Sequence, residues 1–323
     1  MSGTMFTCPS TPGSSDVLLD LVTDRVGCKH ERTDDIVDCL RKLPSETFVL
    51  PIEGRFTNKF TTIDGDLFVA PIKDLIKDKD YLKASGFFSR DYVVTLTNNE
   101  GAVEFFGPFD VGVDPENMSA SFLSKLFRIP VPVSEKILAW YKTSGHSAFK
   151  PSHDVLCDYS MVLPTYRFLE AAVSVSNVTM KERLGKPYFL YFDYLPSYLP
   201  PVLEGMGHGF DLLYLFDIQP DQMLQYYYNQ HTNKTFTEVD FQMKRLYINM
   251  LTDFMKSSDP SITLREKFNV HWPPFDLRLQ DCLSFSSTPS VKTSPLKDRS
   301  YFWNTIFPQY LDEYLQSGHK QEL

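Results

Sequence analysis

Residues 188–194 read Tyr188-Phe189-Leu190-Tyr191-Phe192-Asp193-Tyr194, the most strand-like segment of the chain. Its five leading side chains leave no polar face. That pattern suits a strand covered on both sides, as in a parallel sheet with helices above and below. A second run, Tyr92-Val93-Val94-Thr95-Leu96, is β-branched and ends in Asn98-Asn99-Glu100-Gly101, a turn signal. Around these two segments the spacing predicts helices over 16–26, 33–42, 134–142, 159–175 and 238–255. The tail from Trp272 is rich in Pro and Ser, and closes with an aromatic helix from Tyr301 to Tyr314. Only two or three core strands stand among these helices, fewer than an α/β sheet needs to cover its faces. The expected class is α/β with an incomplete central sheet. No repeat, low-complexity block or linker marks a second domain.

The chain has 323 residues, of which 42% are hydrophobic and 23% charged, and such a chain folds rather than staying disordered. Its 26 Phe and 17 Tyr belong by default to a core. A formal charge of -9 gives nucleic acid or an anionic membrane no purchase. No apolar run approaches the roughly 18–20 residues that span a bilayer. There is no C-x-x-C, no phosphate-cradling glycine loop and no basic patch with interleaved aromatics, so no cofactor or metal is expected. His146 and His153, six residues apart beside Asp154, match no common zinc spacing. His30, His231, His271 and His319 stand in no partner pattern.

Charged residues held in turns at strand ends are the places to look for chemistry in an α/β protein. Glu100 follows the first strand directly. His208 lies in Gly205-Met206-Gly207-His208-Gly209-Phe210-Asp211, after the second. A carboxylate that orients an imidazole, whose other nitrogen accepts a proton from a nucleophile, is the triad arrangement. Acid before base is the chain order of α/β-hydrolases. The plain alternatives are that Glu100 merely caps a turn and that His208 only fills a loop. Asp211, three residues on, is a rival acid.

Three features point to the secretory pathway. Cys28 and Cys39 are spaced like a small-loop disulfide, worth about 2–3 kcal/mol by loop-closure entropy; two unpaired buried thiols are the alternative. Asn117, Asn177 and Asn233 each open a glycosylation sequon. The tail Lys320-Gln321-Glu322-Leu323 is similar to the retrieval signal of the endoplasmic reticulum. Against them, the first residues form no signal peptide. The conflict disappears if the true N-terminus is missing.

Taken together, the segments resemble the type-B carboxylesterases, the family that includes the cholinesterases, along almost the whole chain. Met1-Ser2-Gly3-Thr4 is similar to the family's Q-S-G-S, and Val26-Gly27-Cys28 with Asp38-Cys39-Leu40-Arg41 to its V-G-C…C-L-R disulfide loop. Ile63-Asp64-Gly65-Asp66-Leu67-Phe68 resembles I-D-G-x-x-F beside the gorge. Asn98-Asn99-Glu100-Gly101 resembles the turn whose Glu is the triad acid, and Gly207-His208-Gly209-Phe210-Asp211 the loop whose His is the base. Asn249 through Phe254 with Asp259-Pro260, then Trp272-Pro273, resembles the terminal W-x-x-F-A…G-x-P…W-P block, and Phe302-Trp303 a late F-W.

The resemblance implies the C-terminal half of an α/β-hydrolase fold, with residues 1–323 as the latter portion of one type-B domain. It implies His208 as general base, Glu100 as orienting acid and a small ester as substrate of the parent enzyme. The family's nucleophile sits in G-E-S-A-G, yet no G-x-S-x-G occurs in the chain. The oxyanion-hole glycines belong to the same upstream part. The chain as it stands is therefore expected to be inactive, whether it derives from an internal start or is a true short product. In some relatives Cys157 pairs with a cysteine before the final F-W. Here Ser300 and Tyr301 stand there, which leaves Cys157 free or paired with Cys282. The competing expectation is a non-catalytic, cholinesterase-like adhesion module that binds a partner protein.

Overall fold

A computed structural model describes residues 23–24, 26–48, 63, 65–66, 68–105, 114–127, 129–143, 150–174 and 183–317. The chain divides into two compact units, Cys8–Asp78 and a larger one of Met1–Thr7 with Lys79–Leu323. In the smaller unit, helix α1 (Thr33–Arg41) opens with Asp34 and Asp35 in its first turn and ends on Arg41. Those charges oppose the helix dipole at both ends. A disulfide joins Cys28 to Cys39, so α1 is tied to the segment before it. A single turn, α2 (Ile72–Leu75), follows. The expected helix over 16–26 falls largely outside the described residues, as do Cys8, Met1-Ser2-Gly3-Thr4 and, in the Ile63–Phe68 motif, Asp64 and Leu67.

The larger unit is built on a mixed sheet of order β1-β2-β3-β4. Valine and threonine at 93–95 favour extended backbone because branching at Cβ restricts χ1. Strand β1 runs Tyr92–Thr97 and pairs in parallel with β2, Pro187–Phe192, in the register Tyr92↔Pro187 through Thr97↔Phe192. Phe189, Leu190 and Phe192 are wholly buried. Each contributes about 1.5–3 kcal/mol by leaving water. Strand β3 (Asp281–Phe285) continues the parallel sheet, and β4 (Ser290–Thr293) closes it antiparallel, as an exposed edge. The hairpin β3–β4 lies in the tail that the sequence presents as Pro- and Ser-rich; it is bounded by Gln280 and Ser294, both at positive φ.

Helices supply the cover. Between β1 and β2 the chain forms α4 (Ala120–Phe127), α5 (Val131–Thr143), α6 (Pro151–Cys157) and α7 (Leu163–Val173), after α3 (Lys79–Ala84) has preceded β1. A π-helical segment, Asp158–Val162, joins α6 to α7. After β2 come α8 (Pro220–Tyr228), α9 (Glu238–Ser257) and α10 (Ile262–Phe268). The chain ends in α11 (Lys297–Tyr301), a second π segment at Phe302–Ile306, and α12 (Phe307–Gln316). Helix α9 shows the amphipathic logic clearly. Met243, Leu246, Tyr247 and Met250 recur on one face and are buried, and Thr237 with Asp240 forms a capping box at its start.

Candidate active site

The end of β1 and the loop after β2 meet at the carboxyl edge of the sheet. Asn99 forms a parallel bridge with Gly207, and its N–H donates to the Met206 carbonyl at 2.9 Å. That bridge places Glu100 and His208, 108 residues apart in sequence, face to face: His208 Nδ1 lies 2.7 Å from Glu100 Oε2. The Glu100 side chain is completely inaccessible, while that of His208 retains 28% exposure. A carboxylate oxygen only accepts hydrogen bonds. The proton between them therefore sits on Nδ1, which leaves Nε2 as the acceptor nitrogen. The other oxygen, Glu100 Oε1, accepts from the Thr97 N–H at 2.6 Å, so the carboxylate is held from two sides.

Both loops are locked by close packing. Gly101 follows Glu100, and a Cβ there would meet the His153 carbonyl oxygen of α6 at 2.0 Å. Only glycine lets the acid's turn approach α6 so closely. Gly207 precedes His208, and a Cβ there would meet the Tyr228 hydroxyl at 2.1 Å. That hydroxyl donates to the His208 carbonyl at 2.9 Å, so the last residue of α8 holds the backbone of the base. Asp211, the rival acid, instead presents Oδ2 to Thr95 Oγ1 of β1 at 3.5 Å.

Sequence reasoning missed the supports of this pair. Asn98 opens the acid's turn motif without a role of its own there, and Tyr228 and His153 carry no motif. Their roles follow from contacts across 20 to 108 residues. His153 is fully buried, and burial, aided by Lys150, pushes its imidazole down to about 4. His231 faces Asp221 at 3.4 Å on the surface, and His271 lies 3.4 Å from Arg265. Among the described residues no group of three or more His, Cys, Asp or Glu is placed to hold a metal ion, and no helix is long and apolar enough to cross a membrane. Cys157 and Cys282 are both free and buried, so the pairing between them is not formed. Burial pushes the Cys282 thiol up to about 12 and the Cys157 thiol higher still, which makes both poor nucleophiles. Of the sequon asparagines, Asn117 and Asn233 are exposed, whereas Asn177 lies outside the described residues, as does the Lys320–Leu323 tail.

A mostly parallel sheet flanked by helices, with a buried carboxylate and a partly exposed histidine paired at its carboxyl edge, defines the α/β-hydrolase class. The Carboxylesterase family model matches residues 1–303, and the chain belongs to that family. Among curated proteins it is similar to neuroligin-3 of Homo sapiens, at 23% identity over 89% of this chain and 35% of that protein. It is similar to carboxylesterase 3 of Pongo abelii at 22% identity over 93% of this chain and 51% of that protein. Carboxylesterase 3 of Homo sapiens is 23% identical over 95% of this chain and 53% of that protein. The chain thus spans between about a third and just over half of the length of these relatives.

Proposed function

We propose that this chain is the acid- and base-bearing portion of a serine esterase, with Glu100 and His208 in those roles. The observation that carries the reading is the 2.7 Å contact between a fully buried carboxylate and an imidazole that keeps 28% of its side chain exposed. In such an enzyme His208 Nε2 takes the proton of a serine hydroxyl as its oxygen attacks the ester carbonyl. It then hands that proton to the departing alkoxide, leaving an acyl-enzyme. Water repeats the sequence: His208 accepts its proton, the carboxylic acid departs and the serine is restored. Glu100 keeps the imidazole in its productive tautomer and balances the charge of the imidazolium.

No G-x-S-x-G stands among the 323 residues, so the serine must come from sequence outside them. Lacking it and an oxyanion hole, the chain alone should neither hydrolyse p-nitrophenyl acetate nor react with a fluorophosphonate. Loss of one hole donor by itself costs about 3–4 kcal/mol of transition-state stabilisation. The deciding experiment expresses the chain with whatever coding sequence lies in frame before Met1. An esterase that loses about 10³-fold or more in kcat on His208→Ala and on Glu100→Gln supports the proposal. Unchanged rates in both variants, or an upstream segment with the serine replaced, overturn it.

A second reading, a non-catalytic module that binds a partner protein, draws on the neuroligin-3 matches, which are as similar as the esterases. Retention of the Glu100–His208 contact favours the enzyme. In either reading we place the protein in the secretory pathway, supported by the Cys28–Cys39 disulfide and the exposed sequons at Asn117 and Asn233. A gel shift on amidase deglycosylation, lost in Asn117→Gln with Asn233→Gln, tests the sequons. Secretion on deletion of residues 320–323 tests retention in the endoplasmic reticulum.

A further inference from the structure

We propose that Asn98 is a positioning residue for the Glu100–His208 pair, its side-chain amide clamping the acid's turn to the base's loop. The proposal rests on the reading of that pair as triad acid and base. Asn98 is buried immediately after β1, two residues before Glu100. Its Oδ1 accepts from the Met206 N–H at 2.7 Å, two residues before His208. Its Nδ2 donates to Asp193 Oδ1 at 3.1 Å, just past the end of β2. The amide therefore touches the acid's turn, the base's loop and the neighbouring strand at once.

The direction of that amide is set from outside the site. The two ends of an asparagine side chain are nearly equal in shape, so their hydrogen-bond partners choose between them. Asp193 accepts only, and therefore holds the NH2 end. Its second oxygen in turn takes Ser284 Oγ of β3 at 3.1 Å and Lys292 Nζ of β4 at 2.8 Å. Reversal would set NH2 against the Met206 N–H and oxygen against carboxylate, losing both bonds. Residues just past β1 and β2, and one each from β3 and β4, thus form a polar rail that ends on Met206. The hydrogen bond from the Asn99 N–H to the Met206 carbonyl and the bond from Asn99 Nδ2 to the Leu203 carbonyl at 2.7 Å hold the same loop. Asn98 is the member of this set whose geometry is transmitted from β2, β3 and β4. Productive acid–base geometry tolerates about 0.5 Å of error, which is the scale on which one such bond matters.

The test follows the imidazole Nδ1–H of His208 by NMR in the full chain with ¹⁵N-labelled histidine. The unsubstituted protein should show a strongly deshielded, slowly exchanging signal, and Glu100→Gln should abolish it. Asn98→Ala should speed its exchange at least about tenfold or erase it, at temperatures where the protein stays folded. Tyr194→Phe, which gives up the hydroxyl bond to Asp240 Oδ1, serves as a control: it should lower the melting temperature and keep the signal. A signal unaffected by Glu100→Gln removes the pair itself, and the Asn98 role with it. A signal lost in Glu100→Gln but exchanging at its original rate in Asn98→Ala overturns the Asn98 role alone. Should Asn98→Ala fail to fold, Asp193→Ala decides, because it removes the acceptor that holds the Asn98 NH2: exchange faster by about tenfold supports the clamp, and an unchanged rate overturns it.

Discussion

Arg299 donates from Nε to both carboxylate oxygens of Asp158, at 2.7 and 2.8 Å, and neither side chain has appreciable contact with solvent. The same guanidinium reaches Asp154 Oδ1 at 3.0 Å. Asp158 also accepts from the Tyr141 hydroxyl, which in turn accepts from Trp303 Nε1 at 2.8 Å. Burial alone would pull the Arg299 pKa down, but the charges of Asp158 and Asp154 hold it well above its ordinary value. The cluster joins α11 to α6 and the π segment beside it.

Breaking that cluster from one side strands a buried charge. Arg299→Met should cost about 3–5 kcal/mol in urea unfolding. Adding Asp158→Leu and Asp154→Leu should recover much of the loss, because a well-packed apolar group replaces the whole ionic set. A triple variant no more stable than Arg299→Met would show that the ions themselves specify the packing.

Gly101 makes a second, steric prediction. Alanine there must move either the acid's turn or the α6 backbone, since the obstruction is a carbonyl oxygen at 2.0 Å and the Cys157 nitrogen at 2.8 Å. Gly101→Ala should destabilise by about 1–3 kcal/mol or more, and should displace Glu100 from His208. Thermal melting reads the first effect and the His208 Nδ1–H signal the second.

His153 makes stability depend on acid. Its imidazole is held at about 4 in the fold against an ordinary 6.5, so the unfolded chain binds the proton first as pH falls. Stability is then fully present above about pH 6.5 and is lost progressively down to about pH 4, by about 3 kcal/mol from this group. Urea midpoints between pH 7 and pH 4.5 should fall in the unsubstituted chain. The fall should be shallower in His153→Leu.

The smaller unit has its own test. Reduction of Cys28–Cys39, which closes a separation of 11 residues, should destabilise that unit by about 2–3 kcal/mol. Limited proteolysis with and without reductant should show new cleavages between residues 23 and 48 and few in the sheet.

Much of this architecture could be read before any coordinates. Phe189 and its neighbours marked β2, Val93 and Val94 marked β1, and the 3.6-residue recurrence of Met243, Leu246 and Met250 marked α9. The strand Asp281–Phe285 was hidden because five residues carrying Asp, Cys and Ser give no alternation, although all five are buried. Neither π segment has a local signature. Glycines on both sides of His208 left that side chain little packing purpose, and Glu100 stood out only as a charged residue in a turn at a strand end. Nothing local could assign partners to Asn98, Tyr228 or Arg299. Their partners lie 20 to 141 residues away, and a hydrogen bond of that reach leaves no periodicity behind.

The two borders of the sheet behave differently as surfaces for growth. Strand β4 is four residues long and exposed, and it carries Lys292, whose ammonium is committed to Asp193. A short charged rim of this kind is a poor template for a stranger's backbone, and it discourages stacking of one molecule on the next. Among the described residues β1 is hydrogen-bonded to β2 only, yet its last four side chains are buried. A strand added in parallel along β1 would bring its carboxyl end next to Glu100.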